Sequence, residues 1–471
     1  MRVDNRISHS TLPVGNEGGI AFFGSDNPGV PAVEAGTRLQ QARGVNLPNF
    51  DFFNYAGITR PVRLCATPMA CIRDVTLVPS TDGVVRYRVE TVGTGDICIA
   101  ILDAQGQTVA AAQGAEGTLR VENPRLWQPR PGTPTLYTAH ITFGEDICDQ
   151  PFGFRSVEVR GHQLLINGAP IHLHGPCKHE DTPFHGRGLD LCADVLDLLL
   201  YGWLNANVLR MSHYPYAEEV YALCDREGIL VIDETPAVGI GAGDRVDPYK
   251  AFPLFDYHAQ VLAGMIARDK NHPCVILWSL GNEPDTEHFS QSACDYWRPL
   301  YELAHRLDPQ NRPVTLVCCQ NDYTRDLITR TMDVVCVNRY YGWYNLSGDL
   351  ETAKYALNLE LDFWETIDKA AHPLGIRRGH NQRPARRLAG DVQRGVPGGI
   401  LRGHRRMPGR ARLRRRRAAV DVCGFQHAAG PHARRRQSQG PLYPGQTAQA
   451  RRACTAPALG EEIAVCTAEN A

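Results

Sequence analysis

The fold is decided by the stretch Cys274-Val-Ile-Leu-Trp-Ser-Leu-Gly-Asn-Glu-Pro284. It begins with a nearly uninterrupted apolar run, which is typical of a strand buried on both faces of a parallel sheet. It ends in Asn282, Glu283 and Pro284. A carboxyl group that is partly removed from water keeps its proton more readily, so a glutamate at the end of such a strand suits a general acid. The alternative is a carboxylate that caps the next helix, with Pro284 in the first turn.

Strands and helices alternate on both sides of this stretch. The strand candidates are 171–174, 206–210, 229–233, 274–280, 314–318 and 334–338. The helix candidates are 189–203, 217–227, 256–270, 287–306, 322–330 and 350–370. This alternation predicts a parallel β/α barrel rather than an open sheet, although periodicity alone does not separate the two. A seventh strand is expected to begin near Pro373, and Asn167-Gly168 predicts a hairpin turn before the first strand.

Shorter alternating runs precede the barrel. Residues 84–90 and 97–102 alternate apolar and polar side chains, with turn residues between the runs. This pattern over about 90 residues predicts a β-sandwich of immunoglobulin type. The first 64 residues are too few for a stable domain of their own.

Length and composition exclude several classes of protein. A chain of 471 residues with 43% hydrophobic residues is globular and long enough for two to four domains. It contains no apolar run long enough to span a membrane and its first residues do not resemble a signal peptide, so we predict a cytoplasmic protein with no membrane partner. The 15 Cys form no C-x-x-C pair, which disfavours a structural zinc site.

Composition divides the chain at residue 376. Residues 376–471 contain 20 Arg, no Lys and 5 acidic residues, a net charge of +15, whereas the first 375 contain 30 basic and 46 acidic residues, a net charge of −16. A basic arm that binds nucleic acid is one interpretation. Abundant Arg, Ala, Gly and Pro without Lys is also what GC-rich codons give in the wrong frame. We favour this second interpretation, so we expect a disordered, non-native tail and no nucleic-acid partner.

Other predicted strand ends are also polar and aromatic. The second strand ends in Arg210-Met-Ser-His-Tyr-Pro-Tyr216, whose tyrosines suit either a sugar face or the core. The third ends in Ile232-Asp-Glu234 and the sixth in 338–344, and either is a helix cap, aromatic packing or part of a site. The first strand is rich in metal-ligand types: His172, His174, His179, Glu180, Asp181 and His185. Because no His-Glu-x-x-His spacing occurs, we predict no metal and no cofactor.

In combination these segments resemble glycoside hydrolases of family 2, and among them those that cleave β-glucuronides. The resemblance covers most of residues 1–375 and is carried by seven motifs in order: Asp51-Phe-Phe-Asn-Tyr-Ala-Gly-Ile58, His179-Glu-Asp181, Ser212-His-Tyr-Pro-Tyr-Ala-Glu-Glu219, Val231-Ile-Asp-Glu-Thr235, Arg268-Asp-Lys-Asn-His-Pro273, Asn282-Glu-Pro-Asp285 and Asn338-Arg-Tyr-Tyr-Gly-Trp-Tyr344.

The resemblance implies a multidomain chain of β and then α/β class. The expected segments are a remnant of a sugar-binding jelly roll at 1–64, an immunoglobulin-like sandwich at 65–157, an incomplete (β/α)8 TIM barrel with strands one to six at 158–375, and the Arg-rich tail at 376–471. The chain is expected to begin inside the jelly roll.

The resemblance also implies the roles of individual residues. Glu283 corresponds to the general acid/base. The residues that correspond to substrate-binding positions are Asn282, Asp51, His213, Asn338, Tyr340 and Tyr344. Retaining hydrolysis needs a second carboxyl about 5 to 5.5 Å from the acid. That nucleophile belongs at the end of strand seven, where this chain reads His372-Pro-Leu-Gly-Ile-Arg-Arg-Gly-His380 without Glu.

The expected partner is therefore a β-glucuronide or a related glycoside. We expect this chain to be impaired in hydrolysis and to fold poorly, because the nucleophile and the last barrel strands are missing. The alternatives are a β-galactosidase-type hydrolase or a carbohydrate-binding fragment without activity. A homo-oligomer is compatible with the intact protein.

Overall fold

In the computed structural model, residues 7–15, 50, 52–241, 246–319, 322–342, 346–367 and 370–376 are described, the last segment by its backbone alone. The predictions for Asp51, for Tyr344, for most of residues 1–64 and for the tail lie outside these residues. Among the described residues, none of the helices combines the length and the hydropathy that crossing a bilayer requires.

Seven antiparallel strands form the first layered unit. The strands are β1 (Cys71–Pro79), β2 (Val84–Val92), β3 (Ile97–Leu102), β4 (Thr108–Gln113), β5 (Glu116–Arg120), β6 (Tyr137–Phe143) and β7 (Asp146–Phe152). They make two sheets, in the orders β1-β2-β5 and β4-β3-β6-β7. Inward-facing residues of both sheets, among them Val85, Ile99 and Ile141, share one hydrophobic core. The predicted sandwich is confirmed, and its cause is the alternation of apolar and polar residues.

A three-stranded antiparallel sheet follows, made of β8 (Val157–Arg160), β9 (Gln163–Ile166) and β10 (Ala169–Pro170). Between β9 and β10, Asn167 and Gly168 have φ angles of +53° and +74°. Two residues with positive φ are what a tight type I′ hairpin requires, and Asn-Gly is the pair that adopts it most readily. The predicted hairpin turn is confirmed.

The second unit is one parallel sheet of seven strands. These are β11 (Cys177–Lys178), β12 (Val208–Met211), β13 (Leu230–Glu234), β14 (Val275–Asn282), β15 (Val314–Cys318), β16 (Val334–Arg339) and β17 (Ala370–Ile376). Their order in the sheet is the order along the chain. Strands in sequential parallel order with a helix after most of them are the arrangement of a β/α barrel. The incomplete barrel that the sequence predicted is confirmed.

Helices connect these strands. They are α1 (Leu191–Trp203), α2 (Glu218–Glu227), α3 (Pro248–Ala251), α4 (Phe255–Asp269), α5 (Ser290–Leu307) and α6 (Leu350–Glu365). Five of them agree with predicted helices to within a few residues. Their starts follow local capping chemistry: the side chains of Asp190 and Asp349 accept hydrogen bonds from the backbone N–H groups of Ala193 and Thr352.

The first barrel strand differs from the prediction. It is β11, and residues 171–174 are not part of the parallel sheet. The reason is the side chain of Asn207, which accepts from the backbone N–H of His174 and donates to the carbonyl of His172 at 2.9 and 2.8 Å. Gly175 then passes so close to the carbonyl of Val208 that a Cβ would lie 2.2 Å from it. The strand begins only after this crossing.

The predicted helix over 322–330 is wrong. The structure has a 3-10 helix at Thr329–Thr331 and turns before it. Asp322 and Asp326 accept hydrogen bonds from the backbone N–H groups of Thr324 and Thr329. These local bonds satisfy the backbone groups that a longer helix would use.

The seventh strand begins slightly earlier than predicted. Its pairing with β16 runs from Val334 opposite Ala370 to Arg339 opposite Ile376. Pro373 therefore lies inside the strand rather than at its start. The parallel sheet contains seven strands, which are the six assigned to residues 158–375 and the seventh that was expected near Pro373.

The sandwich and the barrel are joined by the segment after α4. The side chain of Asn271 accepts from the backbone N–H of Leu77 at 3.0 Å and donates to the carbonyl of Val75 at 2.7 Å. Lys270 donates to Asp74 at 2.6 Å. Asn271 thus takes the place of a neighbouring strand along β1.

Replacing Asn271 by Ala removes both hydrogen bonds and leaves two backbone groups of β1 without partners. We expect the free energy of unfolding to fall by about 2 to 4 kcal/mol. Urea unfolding followed by circular dichroism measures it. The matched control is Asn358→Ala on α6, because Asn358 is half-buried and Ala favours a helix. Equal stability of both variants would contradict this role of Asn271.

The buried side chain of His258 hydrogen-bonds to the backbone of β14. Nε2 of His258 lies 3.0 Å from the carbonyl of Leu280 and 3.1 Å from Oγ1 of Thr235, and Nδ1 lies 3.1 Å from the hydroxyl of Tyr296. Burial lowers the pKa of His258 to about 3. The ring is therefore neutral in the folded chain at any pH at which the protein is handled.

This histidine makes stability depend on pH. An unfolded histidine takes up a proton below about pH 6.5, whereas folded His258 does so only near pH 3, so acid favours the unfolded state between these values. From pH 7.5 to 5.5 the resulting loss is about 1.4 kcal/mol. Urea unfolding at both pH values, compared with His258→Gln, isolates this contribution. If the pH slopes of the two proteins coincide, the assignment of a neutral buried ring is wrong.

Candidate active site

Glu283 lies at the carboxyl end of β14, as predicted. All eight residues of this strand are buried, and Glu283 follows them with only 9% of its surface exposed. Its φ angle is +52°, in the left-handed region that a glutamate rarely adopts. Its backbone N–H donates to the carbonyl of Val317 at 2.8 Å. A non-glycine residue held in this conformation is a common feature of functional sites.

Two side chains from the end of β16 donate to the Glu283 carboxylate. Nδ2 of Asn338 lies 2.8 Å from Oε1, and the hydroxyl of Tyr340 donates to the same oxygen. Both hydrogen bonds end on Oε1. Among the described residues, no side chain donates a hydrogen bond to Oε2. The carboxyl is oriented through one oxygen.

Asn282 is connected to the same group. Its Oδ1 accepts from Nδ2 of Asn338 at 2.9 Å and from a guanidinium nitrogen of Arg210 at 2.8 Å. The amide of Asn338 thus bridges the side chains of Asn282 and Glu283. The structure brings together three residues that the sequence placed on two different strands.

The second strand end contributes Arg210 and His213, and the third contributes Glu234. Arg210 donates through Nε and one terminal nitrogen to the Glu234 carboxylate, at 2.9 and 2.7 Å. Nδ1 of His213 lies 2.7 Å from the other carboxylate oxygen, and Oγ of Ser279 donates at 2.7 Å. All these side chains are buried.

The charges of Glu234 and Arg210 support each other. Burial raises the pKa of Glu234, but the Arg210 charge and the hydrogen bonds from His213 and Ser279 outweigh it, so the pKa lies below its ordinary value. Burial lowers the pKa of Arg210, and the charge of Glu234 more than restores it. Glu234 is thus an ionised partner of Arg210. Of the interpretations offered for the third strand end, participation in the site is the one that its contacts support.

Sequence reasoning proposed His213 and Glu283 but gave no role to the Arg210–Glu234 pair. The available signal was position alone: Arg210 lies in β12 and Glu234 is the last residue of β13, its neighbour in the sheet. Residues near the carboxyl ends of adjacent parallel strands lie side by side.

Three rings pack against one another and are called the aromatic wall: those of Phe52, His179 and His213. The rings of His179 and Phe52 lie 5.5 and 6.5 Å from the His213 ring, and Phe52 also packs on Tyr214 at 5.3 Å. Phe52 follows Asp51 in the chain, and Asp51 itself lies outside the described residues.

The tyrosines of the second strand end belong to the core. Tyr214 and Tyr216 are 3% and 0% exposed. Arg187 stacks on Tyr214 with its guanidinium carbon 3.3 Å from the ring centre, and Tyr216 donates to the carbonyl of Ser212 at 3.1 Å. Of the two interpretations that the sequence left open, core packing is the correct one.

The side chains at the end of the sixth strand, β16, lie in two different environments. Asn338 and Tyr340 point to Glu283, whereas Arg339 and Tyr341 pair with Glu360 of α6. The alternation of side chains along a strand explains this division. The Arg339–Glu360 pair is buried and joins β16 to its helix.

Within the described ranges, two buried polar atoms of the cluster have no hydrogen-bond partner. They are Oδ1 of Asn338 and Nη1 of Arg210. Buried polar atoms are almost always satisfied, so these two atoms are exceptions within the cluster.

Cys319 directly follows β15 and lies close enough to Glu283 to be affected by its charge. Burial and then the negative charge of Glu283 raise the pKa of its thiol well above the ordinary value. The thiol is therefore protonated and uncharged beside the carboxylate. Sequence reasoning did not single out this residue.

The metal-ligand types near the first strand have other partners. Glu180 accepts from Arg60 at 2.6 Å and from the backbone N–H of Ala217 at 2.7 Å, and His185 pairs with Asp190 at 2.8 Å. Among the described residues, one group brings three ligand atoms within 4.8 Å of one another: Asp225, His272 and Cys274. Asp225 already pairs with His272 and accepts from the Cys274 backbone, at 2.6 and 2.9 Å, so the group is a hydrogen-bonded cluster.

Comparison with known proteins gives matches in both units. Residues 74–155 match the model of the glycosyl hydrolases family 2, and residues 157–377 match the model of the glycosyl hydrolases family 2, TIM barrel domain. The chain is similar to the β-glucuronidase of Paenibacillus borealis, with 44% identity over 329 residues, which are 67% of this chain and 54% of that protein. The chain thus spans about half the length of the curated relatives it matches.

Two solved structures similar to this chain are also β-glucuronidases. Faecalibacterium prausnitzii β-glucuronidase has 56% identity and a TM-score of 0.82, over 91% of this chain and 72% of that one. Bifidobacterium dentium β-glucuronidase complexed with coumarin-3-O-glucuronide has 48% identity and a TM-score of 0.71, over 79% of this chain and 63% of that one.

The buried ion pair generates a stability prediction. Glu234→Gln keeps the shape of the side chain but leaves the Arg210 charge buried without a counter-charge, so the free energy of unfolding is expected to fall by about 3 kcal/mol or more. Urea unfolding at pH 7 measures this. The matched control is Glu351→Gln, whose exposed pair with Lys354 contributes at most about 1 kcal/mol. If the free energy of unfolding falls no more than in the control, the Arg210–Glu234 pair does not stabilise the fold as stated.

Proposed function

The chain belongs to the glycosyl hydrolases of family 2, and we propose that it is by descent a retaining glycosidase of the β-glucuronidase type, with β-glucuronides as its ligands. The observation that carries this proposal is the Glu283 carboxyl, nearly buried at the mouth of the parallel sheet and oriented by Asn338 and Tyr340 through a single oxygen. The relatives named above are β-glucuronidases, which favours a glucuronide over a galactoside.

Glu283 is proposed as the general acid/base. A proton on Oε2 would pass to the departing glycosidic oxygen, because Oε1 is occupied by Asn338 and Tyr340. Breaking the glycosidic bond expels an oxygen that needs a proton, and a correctly placed carboxyl supplies it. The two donors also stabilise the carboxylate that remains after proton transfer.

The sugar is proposed to bind against Asn282, Asn338 and His213. The aromatic wall of Phe52, His179 and His213 offers an apolar surface for a sugar face. Asp51 and Tyr344 are proposed for the same pocket from sequence alone, and Tyr340 would line it while orienting the acid.

The chain as it stands is proposed to bind better than it hydrolyses. Retaining hydrolysis needs a second carboxylate that attacks the anomeric carbon. The four residues directly after β17 are Arg377-Arg-Gly-His380 and include no acidic residue, and the next acid along the chain is Asp391. An acid without a nucleophile lacks the covalent step that divides the reaction.

A binding and turnover experiment tests this proposal. The chain is expected to bind coumarin-3-O-glucuronide in calorimetry while releasing 3-hydroxycoumarin far more slowly than the Faecalibacterium relative. Turnover at a rate similar to that of the relative would overturn the proposed impairment. A folded chain without detectable binding would overturn the glucuronide pocket, and a preference for an aryl β-galactoside would favour the alternative glycone.

The role of Glu283 is tested in a repaired chain, in which the sequence after Pro373 is replaced by that of the Faecalibacterium relative. Glu283→Gln in this chain is expected to lower kcat for glucuronides with poor leaving groups by about 10²- to 10⁴-fold, and less for good leaving groups, because only poor leaving groups need the proton. The control is Glu302→Gln, exposed on α5. Unchanged rates for both kinds of leaving group would exclude Glu283 as the acid.

The cytoplasmic location and the homo-oligomeric state stay predictions from the sequence. Cell fractionation and light scattering of the purified chain test them.

A further inference from the structure

The carboxylate of Glu360 on α6 accepts hydrogen bonds from three side chains. Both of its oxygens lie 2.6 Å from Nε of Arg339, and Oε1 also accepts from Nε1 of Trp364 at 2.9 Å. Oε2 accepts from the hydroxyl of Tyr341 at 3.1 Å. Glu360 and Arg339 are each only 1% exposed. A carboxylate buried this deeply is stable only when a counter-charge and hydrogen-bond donors surround it, and these three side chains supply both.

Arg339 directs its remaining donors to the backbone of β15 and β16. Nη1 donates to the carbonyl of Asn338 at 2.7 Å and to that of Cys318 at 3.3 Å. Asn338 is also the residue whose side chain donates to Glu283. Cys318 is the last residue of β15, so the guanidinium joins the carboxyl ends of two neighbouring strands beside the candidate acid.

Tyr340, the other donor to Glu283, lies beyond the paired part of its strand. The pairing of β16 with β15 ends at Val337, and its pairing with β17 ends at Arg339. Among the described strands, none pairs with Tyr340 itself. The direction of its side chain therefore depends on the residues on either side of it.

We infer that Glu360 is a positioning residue for the proposed general acid and acts through the two neighbours of Tyr340. Arg339 and Tyr341 flank Tyr340 in the chain, and both donate to the Glu360 carboxylate. Side chains alternate along an extended chain, so holding both neighbours on the side of α6 directs Tyr340 to the opposite side, where it donates to Glu283. The inference rests on the proposed role of Glu283 and adds a residue of α6 to it.

The test compares leaving groups in the repaired chain defined above. Glu360→Gln keeps the shape of the side chain but removes the one carboxylate that, among the described residues, forms a salt bridge with Arg339. The variant is expected to lower kcat for glucuronides with poor leaving groups by about 10- to 100-fold, because proton transfer requires a precisely placed acid. For good leaving groups, which need no proton, the loss should be much smaller.

The matched control is Asp308→Asn. Asp308 and Arg312 form another ion pair whose side chains are both 0% exposed, and Asp308 precedes β15, at the end of the sheet opposite Glu283. The control also leaves a buried arginine without its counter-charge. Urea unfolding of the 471-residue chain is expected to show similar losses of stability for both variants. In the repaired chain, however, the control should change kcat for poor and good leaving groups by the same factor.

A milder variant, Tyr341→Phe, decides the question if Glu360→Gln does not fold. It removes one hydrogen bond to Glu360 and keeps the ring, and it is expected to lower kcat for poor leaving groups by about two- to fivefold, again with less effect on good ones. If the folded variants slow both kinds of substrate equally, as the control does, Glu360 is not a positioning residue. If Glu283→Gln itself shows no dependence on the leaving group, the proposed acid is wrong and the inference fails with it, so the Glu283 variant separates the two failures.

Discussion

The ion pair between Arg210 and Glu234 is the constraint on which the rest of the site depends. Both groups are buried, and the pair is stable there because His213, Ser279 and Asn282 satisfy the remaining atoms of the two side chains, with one guanidinium nitrogen left over. Two charges in a dry interior tolerate little displacement, since each loses its hydration and regains it only through correctly placed partners. The ends of β12, β13 and β14 are thereby fixed relative to one another.

The Arg210–Glu234 pair also restricts the position of Glu283 through a chain of hydrogen bonds. Asn282 accepts from Arg210 and from Asn338, and Asn338 in turn donates to Glu283. Glu283, the proposed general acid, is therefore connected through two amides to an ion pair that cannot move freely. A general acid gains from such restriction, because proton transfer requires a defined distance to the departing oxygen. The left-handed backbone of Glu283 and the bond from its N–H to Val317 hold the same residue from the other side.

The barrel combines this rigid centre with incomplete edges. Residues at the middle of the sheet, such as those of β14, are buried throughout, whereas the helices at its two ends expose leucine, valine and aromatic side chains. Apolar faces of this size favour contact with another surface over contact with water. The central strands are thus fully buried, while the helices beside the first and last described strands expose apolar side chains.

The sequence by itself determined the order and the type of the elements. Alternation in residues 84–90 gave the sandwich strands, the apolar run ending in Glu283 gave the central barrel strand, and Asn167-Gly168 gave the hairpin, because each signal is local. Only the tertiary structure decided which polar residues meet. Arg210 and Glu234 lie 24 positions apart, and nothing local distinguishes their pairing from a helix cap. Likewise the burial of Tyr214 and Tyr216, the turns that replace a helix at 322–330 and the displacement of the first strand to β11 depend on side chains such as Asp326 and Asn207 that compete for backbone groups. Which of these hydrogen bonds forms depends on residues that are close in the folded chain but distant in the sequence.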